Sequence, residues 1–201
     1  MTDLYQYETT LRSEGYSLIC GIDEAGRGPL AGPVCAAACV LPAGLVIEGL
    51  NDSKKLSEKK REALYEEITQ KALAWAVCLA DEKTIDEINI LQATFRAMRG
   101  AVERLSLTPE LCLVDGNRDP GLDLPTRTVV KGDAACASVA AASILAKVTR
   151  DRLMVQYDAQ YPGYGFAVHK GYGTKAHYAA IDALGLCPIH RRSFLKNHGP
   201  A

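Results

Sequence analysis

Four carboxylates stand where an apolar, extended segment gives way to a turn. Asp23 and Glu24 follow Leu18-Ile19-Cys20-Gly21-Ile22 and precede Ala25-Gly26-Arg27-Gly28. Asp115 closes Leu111-Cys112-Leu113-Val114 and is followed at once by Gly116, and Asp133 sits in Lys131-Gly132-Asp133. Carboxylates gathered together repel and raise one another's pKa values unless cations hold them. All-oxygen ligand sets select hard divalent ions, Mg2+ or Mn2+. Two such ions about 3.5–4 Å apart make a clamp for in-line displacement at phosphorus. A single Asp at a strand end is more often a turn former or an N-cap, and Asp133 could simply cap the helix after it. The Asp23-Glu24 pair is better evidence. Side chains alternate along a strand, so two neighbours reach one site only where the backbone turns, and Ala25-Gly26 supplies a turn.

The elements that must position these groups follow from periodicity. Leu18 to Asp23 and Pro33 to Leu41 read as buried strands joined by the glycine-rich turn. Ser57 caps a charged helix with Leu64, Ile68 and Ala72 on its inner face, and Trp75 to Ala80 is a third strand. Thr84 and Glu87 form a capping box. Beyond it Ile88, Leu91, Phe95, Met98, Val102 and Leu105 recur at helical spacing, with a break near Asn89. Leu111 to Asp115 and Thr126 to Lys131 are two more strands. Ala134 to Tyr157 is an Ala-rich helix. Thr174 to Leu184 is a last helix, with Tyr178, Ile181 and Leu184 on one face and Gly185 as its stop. Leu4, Tyr7 and Leu11 suggest a short docking helix at the N-terminus. The order argues an α/β fold, a five-stranded mixed sheet with helices on both faces. If the first and fourth strands are parallel neighbours, Asp23 and Asp115 meet where ligands bind, at the carboxyl ends of the strands.

Composition narrows the class. No apolar run approaches the ~20 residues of a membrane span, and the polar start MTDLYQYETTLRSEGY lacks the order of a signal peptide. A cytoplasmic protein is expected. Seven cysteines, an odd number without a C-x-x-C pair, argue against a zinc cluster or a disulfide framework. Net charge is −1, but residues 146–201 carry eight Lys and Arg against three Asp and Glu. A basic C-terminal part suits a polyanion, although a solvated charged face explains it as well.

The stretches GIDEAGRGPLAGPV, NDSKKLSEKKREALY, LVDGNR, VVKGD, AASILAKVTRD, HKGYGT and HRRSF resemble, in order and spacing, those of ribonuclease HII, the ribonuclease H type 2 family. The resemblance runs from Gly21 to Phe194. It departs at Ala140, where many relatives have Ser. It implies a ribonuclease H-like fold with C-terminal helices and hydrolysis of the RNA strand of RNA–DNA hybrids by two metal ions. It also implies cutting 5′ of single ribonucleotides in duplex DNA, leaving 5′-phosphate and 3′-hydroxyl, in the service of ribonucleotide removal.

By position, Asp23, Glu24, Asp115 and Asp133 match the family's catalytic, metal-binding carboxylates, with Mg2+ or Mn2+ as cofactor; Asp151 ranks below Asp133. Gly26, Arg27 and Gly28 match its backbone reader of the 2′-OH, a group that DNA lacks. Tyr172 matches the residue that stacks on the deoxyribose after the ribonucleotide. Lys54, in Asn51–Lys55, and Lys170 are expected to contact phosphates, and His190-Arg191-Arg192 the duplex backbone. No clamp-binding peptide is evident in FLKNHGPA. Residues 1–16 would be an N-terminal extension. Residues 17–201 would form one catalytic domain, in which 160–201 is a helical substrate-binding part. The partners implied are RNA–DNA hybrid and ribonucleotide-containing DNA duplex, with no membrane, and the chain is expected to act as a monomer.

Two other readings use some of these features. A DNA nuclease such as a junction resolvase or transposase core needs the carboxylates but no 2′-OH reader. A non-catalytic hybrid-binding module needs no acidic cluster. A sugar kinase or ATPase is disfavoured, since no G-x-x-x-x-G-K-[ST] is present.

Overall fold

The strand that begins the catalytic motif is longer than its sequence suggests. In the computed structural model, which describes residues 4–196, β1 is Ile19–Ala25, so Asp23 and Glu24 both lie within it. The turn comes after the pair, at Gly26 (φ 92°). β1 pairs antiparallel with β2 (Val34–Val40), which pairs antiparallel with β3 (Ala74–Ala80). On its other side β1 pairs parallel with β4 (Leu111–Asp115), and β4 parallel with β5 (Thr126–Val129). The sheet order is β3-β2-β1-β4-β5, the anticipated five-stranded mixed sheet.

Helices α1 (Gln6–Ser13), α2 (Glu58–Lys71), α3 (Glu82–Glu103), α4 (Ala137–Gln160), α5 (Phe166–His169) and α6 (Lys175–Leu184) complete the chain. α3 covers one face of the sheet. Its fully buried Ala93, Ala97 and Ala101 let it approach closely, and a Cβ at Gly100 would lie 2.7 Å from the Cys78 sulfur. α4 covers the other face over β1 and β2, with Ala137, Ala140, Ala141, Ala142 and Ala146 in its core. The approach is so tight that a Cβ at Gly21 would fall 2.1 Å from the Ser138 carbonyl carbon.

Several boundaries differ from expectation for identifiable reasons. Asp81, immediately after β3, caps α3 by accepting from the Thr84 amide at 2.8 Å, so the helix starts ahead of the Thr84–Glu87 pair. Asn89 (φ 67°, ψ 163°) does break α3, and its side chain caps the second part by accepting from Leu91 and Gln92 at 3.0 and 3.1 Å. β5 stops at Val129 because Lys131 turns left-handed (φ 58°) into a 3-10 turn, Gly132–Ala134. α4 therefore starts only at Ala137. On α6 the buried positions are His177 and Ile181, while Leu184 is exposed. The described cysteines are all free.

α1 is tied to the sheet and to α4. Leu11 packs with Ile19, Leu111 and Val139. Arg12 donates to the Ser17 and Leu41 carbonyls, and the Tyr5 hydroxyl accepts from the Ile47 amide at 2.8 Å. The end of FLKNHGPA, residues 197–201, lies outside the described residues.

Candidate active site

Parallel pairing of β1 with β4 aligns Ile22 with Val114, so Asp23 and Asp115 leave the sheet side by side. Alternation along β1 sends Glu24 with Cys20 and Ile22 toward α3, and Asp23 with Ile19 and Gly21 toward α4. The pair thus straddles the sheet edge, and no turn between them is needed. Glu24 and Asp115 share a small cavity of about 90 Å3 with Arg27, Phe95, Met98 and Arg118. Asp133 joins from the 3-10 turn. It does not cap α4, whose N-cap is Cys136 without a side-chain bond. The Gly132 amide donates to Asp115 at 2.7 Å, which fixes the turn carrying Asp133 against the end of β4.

The electrostatics are those of a crowded acidic site. Asp23 is buried, with its carboxyl pushed well above the usual range by desolvation, then by the charges of Glu24 and Asp115. Burial also raises Glu24, against the lowering pull of Arg27, and raises Asp133, with Asp115 and Asp52 adding to the shift. Three groups restrain the carboxylates. Arg27 pairs with Glu24 at 3.3 Å, Lys54 stands 3.5 Å from Asp133, and the Gly132 amide holds Asp115. Among the described residues no three acidic, histidine or cysteine side chains are close enough as they stand to share an ion. The donor set nevertheless suits a hard divalent cation. It is all oxygen, and its members destabilise one another's charged forms until positive charge is supplied.

Lys54 owes its position to a built loop. Asp52 accepts from the Lys54 amide at 2.9 Å, and Arg61 donates to the Ser53 and Leu56 carbonyls. Asp151 serves this scaffold, since it accepts from Lys147 at 2.8 Å and lies 3.9 Å from Arg61.

The glycine turn and the Tyr172 loop meet. A Cβ on Gly28 would lie 3.7 Å from the Tyr172 ring, and the Leu30 amide donates to the Gly171 carbonyl at 2.8 Å. Tyr172 is 44% exposed although its backbone is fixed: its carbonyl accepts from Thr174 and contacts a His177 ring nitrogen at 2.9 Å. Lys170 is left-handed (φ 51°), and its ammonium is turned back onto the Ala167 carbonyl. The expectation that His190 and Arg191 face a duplex is corrected. Both are buried, and Arg192 alone of the three is exposed.

Arg150 is a residue that sequence reasoning missed, and Arg191 one to which it gave another role. Arg191 donates to the carbonyls of Gly26, Arg27 and Gly32 at 2.6, 2.9 and 2.9 Å. Arg150 donates to those of Pro33, Lys170 and Ala31 at 2.9, 2.9 and 3.1 Å. The signal available was the loop GRGPLAGP itself: its carbonyls have no ladder partner in sequence, so donors must come from elsewhere.

With this geometry in view, comparison with protein families matches Ribonuclease HII over residues 20–197. The chain belongs to the ribonuclease HII family. It is 59% identical to the Ribonuclease HII of Citrifermentans bemidjiense over 99% of this chain and 87% of that protein. It is 58% identical to that of Ruminiclostridium cellulolyticum over 96% of this chain and 76% of that protein. Among solved structures, the ribonuclease H2 of Pyrococcus horikoshii OT3 superposes with a TM-score of 0.74 at 30% identity, covering 88% of this chain and 93% of that one. The fold is ribonuclease H-like. The enzyme is a divalent-metal-dependent endonuclease that hydrolyses the RNA strand of RNA–DNA hybrids. Among the described residues no helix is long and apolar enough to cross a membrane.

Proposed function

We propose that Asp23, Glu24, Asp115 and Asp133 hold two divalent cations, Mg2+ or Mn2+, and that the enzyme cuts 5′ of ribonucleotides, including single ones embedded in duplex DNA. The observation that carries this reading is that Asp23, within β1, and Asp115, the last residue of β4, each follow the aligned pair Ile22–Val114 of neighbouring parallel strands, with Asp133 tied to the same place through Gly132. Ions held there would supply an activated water and charge stabilisation for the leaving 3′ oxygen, consistent with 5′-phosphate and 3′-hydroxyl ends.

The chain's own groups do the rest. The amides of the Gly26-Arg27-Gly28 turn hydrogen-bond the 2′-OH, a contact that DNA cannot make. Tyr172, exposed beside Gly28, stacks on the next sugar. Lys54, whose side chain is 76% exposed, exchanges its hold on Asp133 for a substrate phosphate. Lys170 has to release the Ala167 carbonyl before it can do the same, so it takes the weaker share. We assign catalysis to one domain, residues 17–201, with the helices from 160 onward facing the duplex and residues 1–16 as its extension. The enzyme is read as a cytoplasmic monomer.

The test is a cut-site map on a duplex with one ribonucleotide, an all-DNA duplex and a uniform hybrid, each with Mg2+, with Mn2+ and with chelator. One cut 5′ of the ribonucleotide, present with metal and absent with chelator, is expected. Equal cutting of the all-DNA duplex would favour the resolvase or transposase alternative.

A further inference from the structure

Every hydrogen bond of the two buried arginines goes to a loop carbonyl, and Arg191 also lies over the Phe194 ring at 5.2 Å. Arg150 and Arg191 are 1% and 0% exposed, and neither forms a salt bridge among the described residues. Burying two neighbouring guanidinium ions without a counter-charge is expensive, and only their bonds to the loop carbonyls offset that cost. Their retention asks for a geometric reason. A guanidinium is a rigid planar fork that can hold several carbonyls at fixed spacing, and an ammonium cannot. The carbonyls held here belong to the two loops that meet the substrate. Gly26, Arg27 and Gly32 are gripped by Arg191, and Ala31, Pro33 and Lys170 by Arg150. The two loops are also joined by the Leu30–Gly171 bond, and the Ala31–His190 bridge ties the glycine loop to the segment that carries Arg191.

Peptide planarity turns this grip into a statement about the turn's donors. In a trans peptide the N–H points away from the preceding C=O. With the Gly26 and Arg27 carbonyls drawn inward to Arg191, the amides of Arg27 and Gly28 must point outward. No acceptor among the described residues bonds those two amides. Gly26 adds a steric lock, since a Cβ there would lie 2.0 Å from the Arg150 Nε.

We propose that Arg191 and Arg150 are positioning residues that set ribonucleotide selectivity from beneath the site, by locking the glycine turn and the Tyr172 loop into one rigid jaw. This rests on the reading of Gly26–Gly28 and Tyr172 as the ribonucleotide-recognising groups. Loss of the fork moves the amides relative to the catalytic carboxylates, and a 1 Å misplacement can cost about a hundredfold in rate.

The experiment compares the full chain with Arg191→Lys, Arg191→Met and Arg150→Lys. The substrates are a single-ribonucleotide duplex, its all-DNA counterpart and a uniform hybrid whose cut positions are mapped. Thermal melting is measured alongside. Arg191→Met removes a buried charge but leaves the Gly26, Arg27 and Gly32 carbonyls without their donor, so some loss of melting temperature is expected in it. KM should stay within about threefold, while kcat at the ribonucleotide falls about ten- to a hundredfold. The ratio of cleavage at the ribonucleotide junction to cleavage at other positions should fall by at least about tenfold. That ratio does not depend on the fraction of folded enzyme, so it remains readable in a poorly folding variant. An unchanged ratio in all three variants overturns the proposal. A parent enzyme that shows no preference for the ribonucleotide overturns instead the reading on which it rests.

Discussion

Asp23 and Asp115 each stand one residue beyond Ile22 and Val114, aligned partners in adjacent parallel strands, and Asp115 is bonded through Gly132 to the turn that carries Asp133. If these are the metal ligands, an amide at either strand end keeps the shape and loses the anion. Asp23→Asn and Asp115→Asn are each expected to lower cleavage of a hybrid about a thousandfold, as the loss of several kcal/mol of metal-derived stabilisation requires. Hybrid binding in a gel-shift assay should persist. Asp133→Asn should behave alike. Asp151→Asn should stay within about tenfold, since Asp151 already holds Lys147 and lies near Arg61. Activity within tenfold of the parent in the Asp23 or Asp115 variant would remove that residue from the ligand set.

The raised carboxyls make stability depend on pH and metal together. Burial, then mutual repulsion, raises Asp23, and burial is also the first cause for Glu24 and Asp133. A carboxyl whose folded pKa lies above its unfolded value contributes stability that is present at acid pH and lost as pH rises through the folded value. Metal-free enzyme should therefore lose melting temperature as pH rises from the ordinary carboxylate range toward neutrality. Mg2+ or Mn2+ at a hundredfold its Kd should then add about 2.7 kcal/mol, roughly 5–10 °C, at pH 7.5. The increment should shrink in acid, where protons compete for the ligands. Scanning calorimetry across pH with and without cation checks this. A metal increment that is constant from acid to neutral pH would count against the carboxylate site.

What could be read from the sequence divides by distance along the chain. Asp23 and Asp115 were legible because each is the first charge after an apolar run, a local pattern. The strand order followed from alternation and periodicity. The boundary errors were also local: Asp81 competed with Thr84 for the same cap, and β1 ran on through Glu24 and Ala25 because β2 continues to pair with it. Arg150 and Arg191 were illegible for a different reason. Their acceptors lie 117 and 165 positions away, at Pro33 and Gly26; Arg150 in its Ala-rich helix reads as a solvent-facing residue, and Arg191 in a basic run as a duplex contact, until the fold buries them. The cap of α4 was hidden in the same way, because it comes from α1.

That cap makes a separate prediction. Glu8 accepts from both the amide and the hydroxyl of Ser138 at 2.7 Å, and so supplies the anion that the start of α4 lacks locally. Burial raises its carboxyl in spite of the lowering Ser138 bonds. Glu8→Ala leaves buried donors unpaired and should cost about 1–3 kcal/mol. Glu8→Gln keeps an acceptor oxygen and loses the charge. It should lose less than the Ala variant, at most about 2 kcal/mol, the upper contribution of a charge buried at a helix terminus. The parent's share of stability from this group declines as pH rises through the raised value, and the Gln variant should lack that decline. Urea unfolding at acid and neutral pH separates the two variants. Equal stability of parent and Ala variant would make the N-terminal helix dispensable to α4.

Tyr172 distinguishes a substrate contact from a packed aromatic. Its backbone is held by His169, Thr174 and His177, while the ring is 44% exposed beside Gly28. Truncating a core aromatic costs about 3–5 kcal/mol. A ring this exposed forfeits little on truncation, so Tyr172→Ala should melt within a few degrees of the parent. Its cleavage of a single-ribonucleotide duplex should nevertheless fall about a hundredfold, because the sugar beyond the cut loses its platform. Tyr172→Phe keeps the ring and should lose much less. On the uniform hybrid, where many phosphates compete for the site, both variants should redistribute cuts before they lose total activity. The decisive comparison is melting temperature against single-ribonucleotide cleavage for both variants. A drop in melting temperature large enough to account for the lost activity would return Tyr172 to the role of a structural residue.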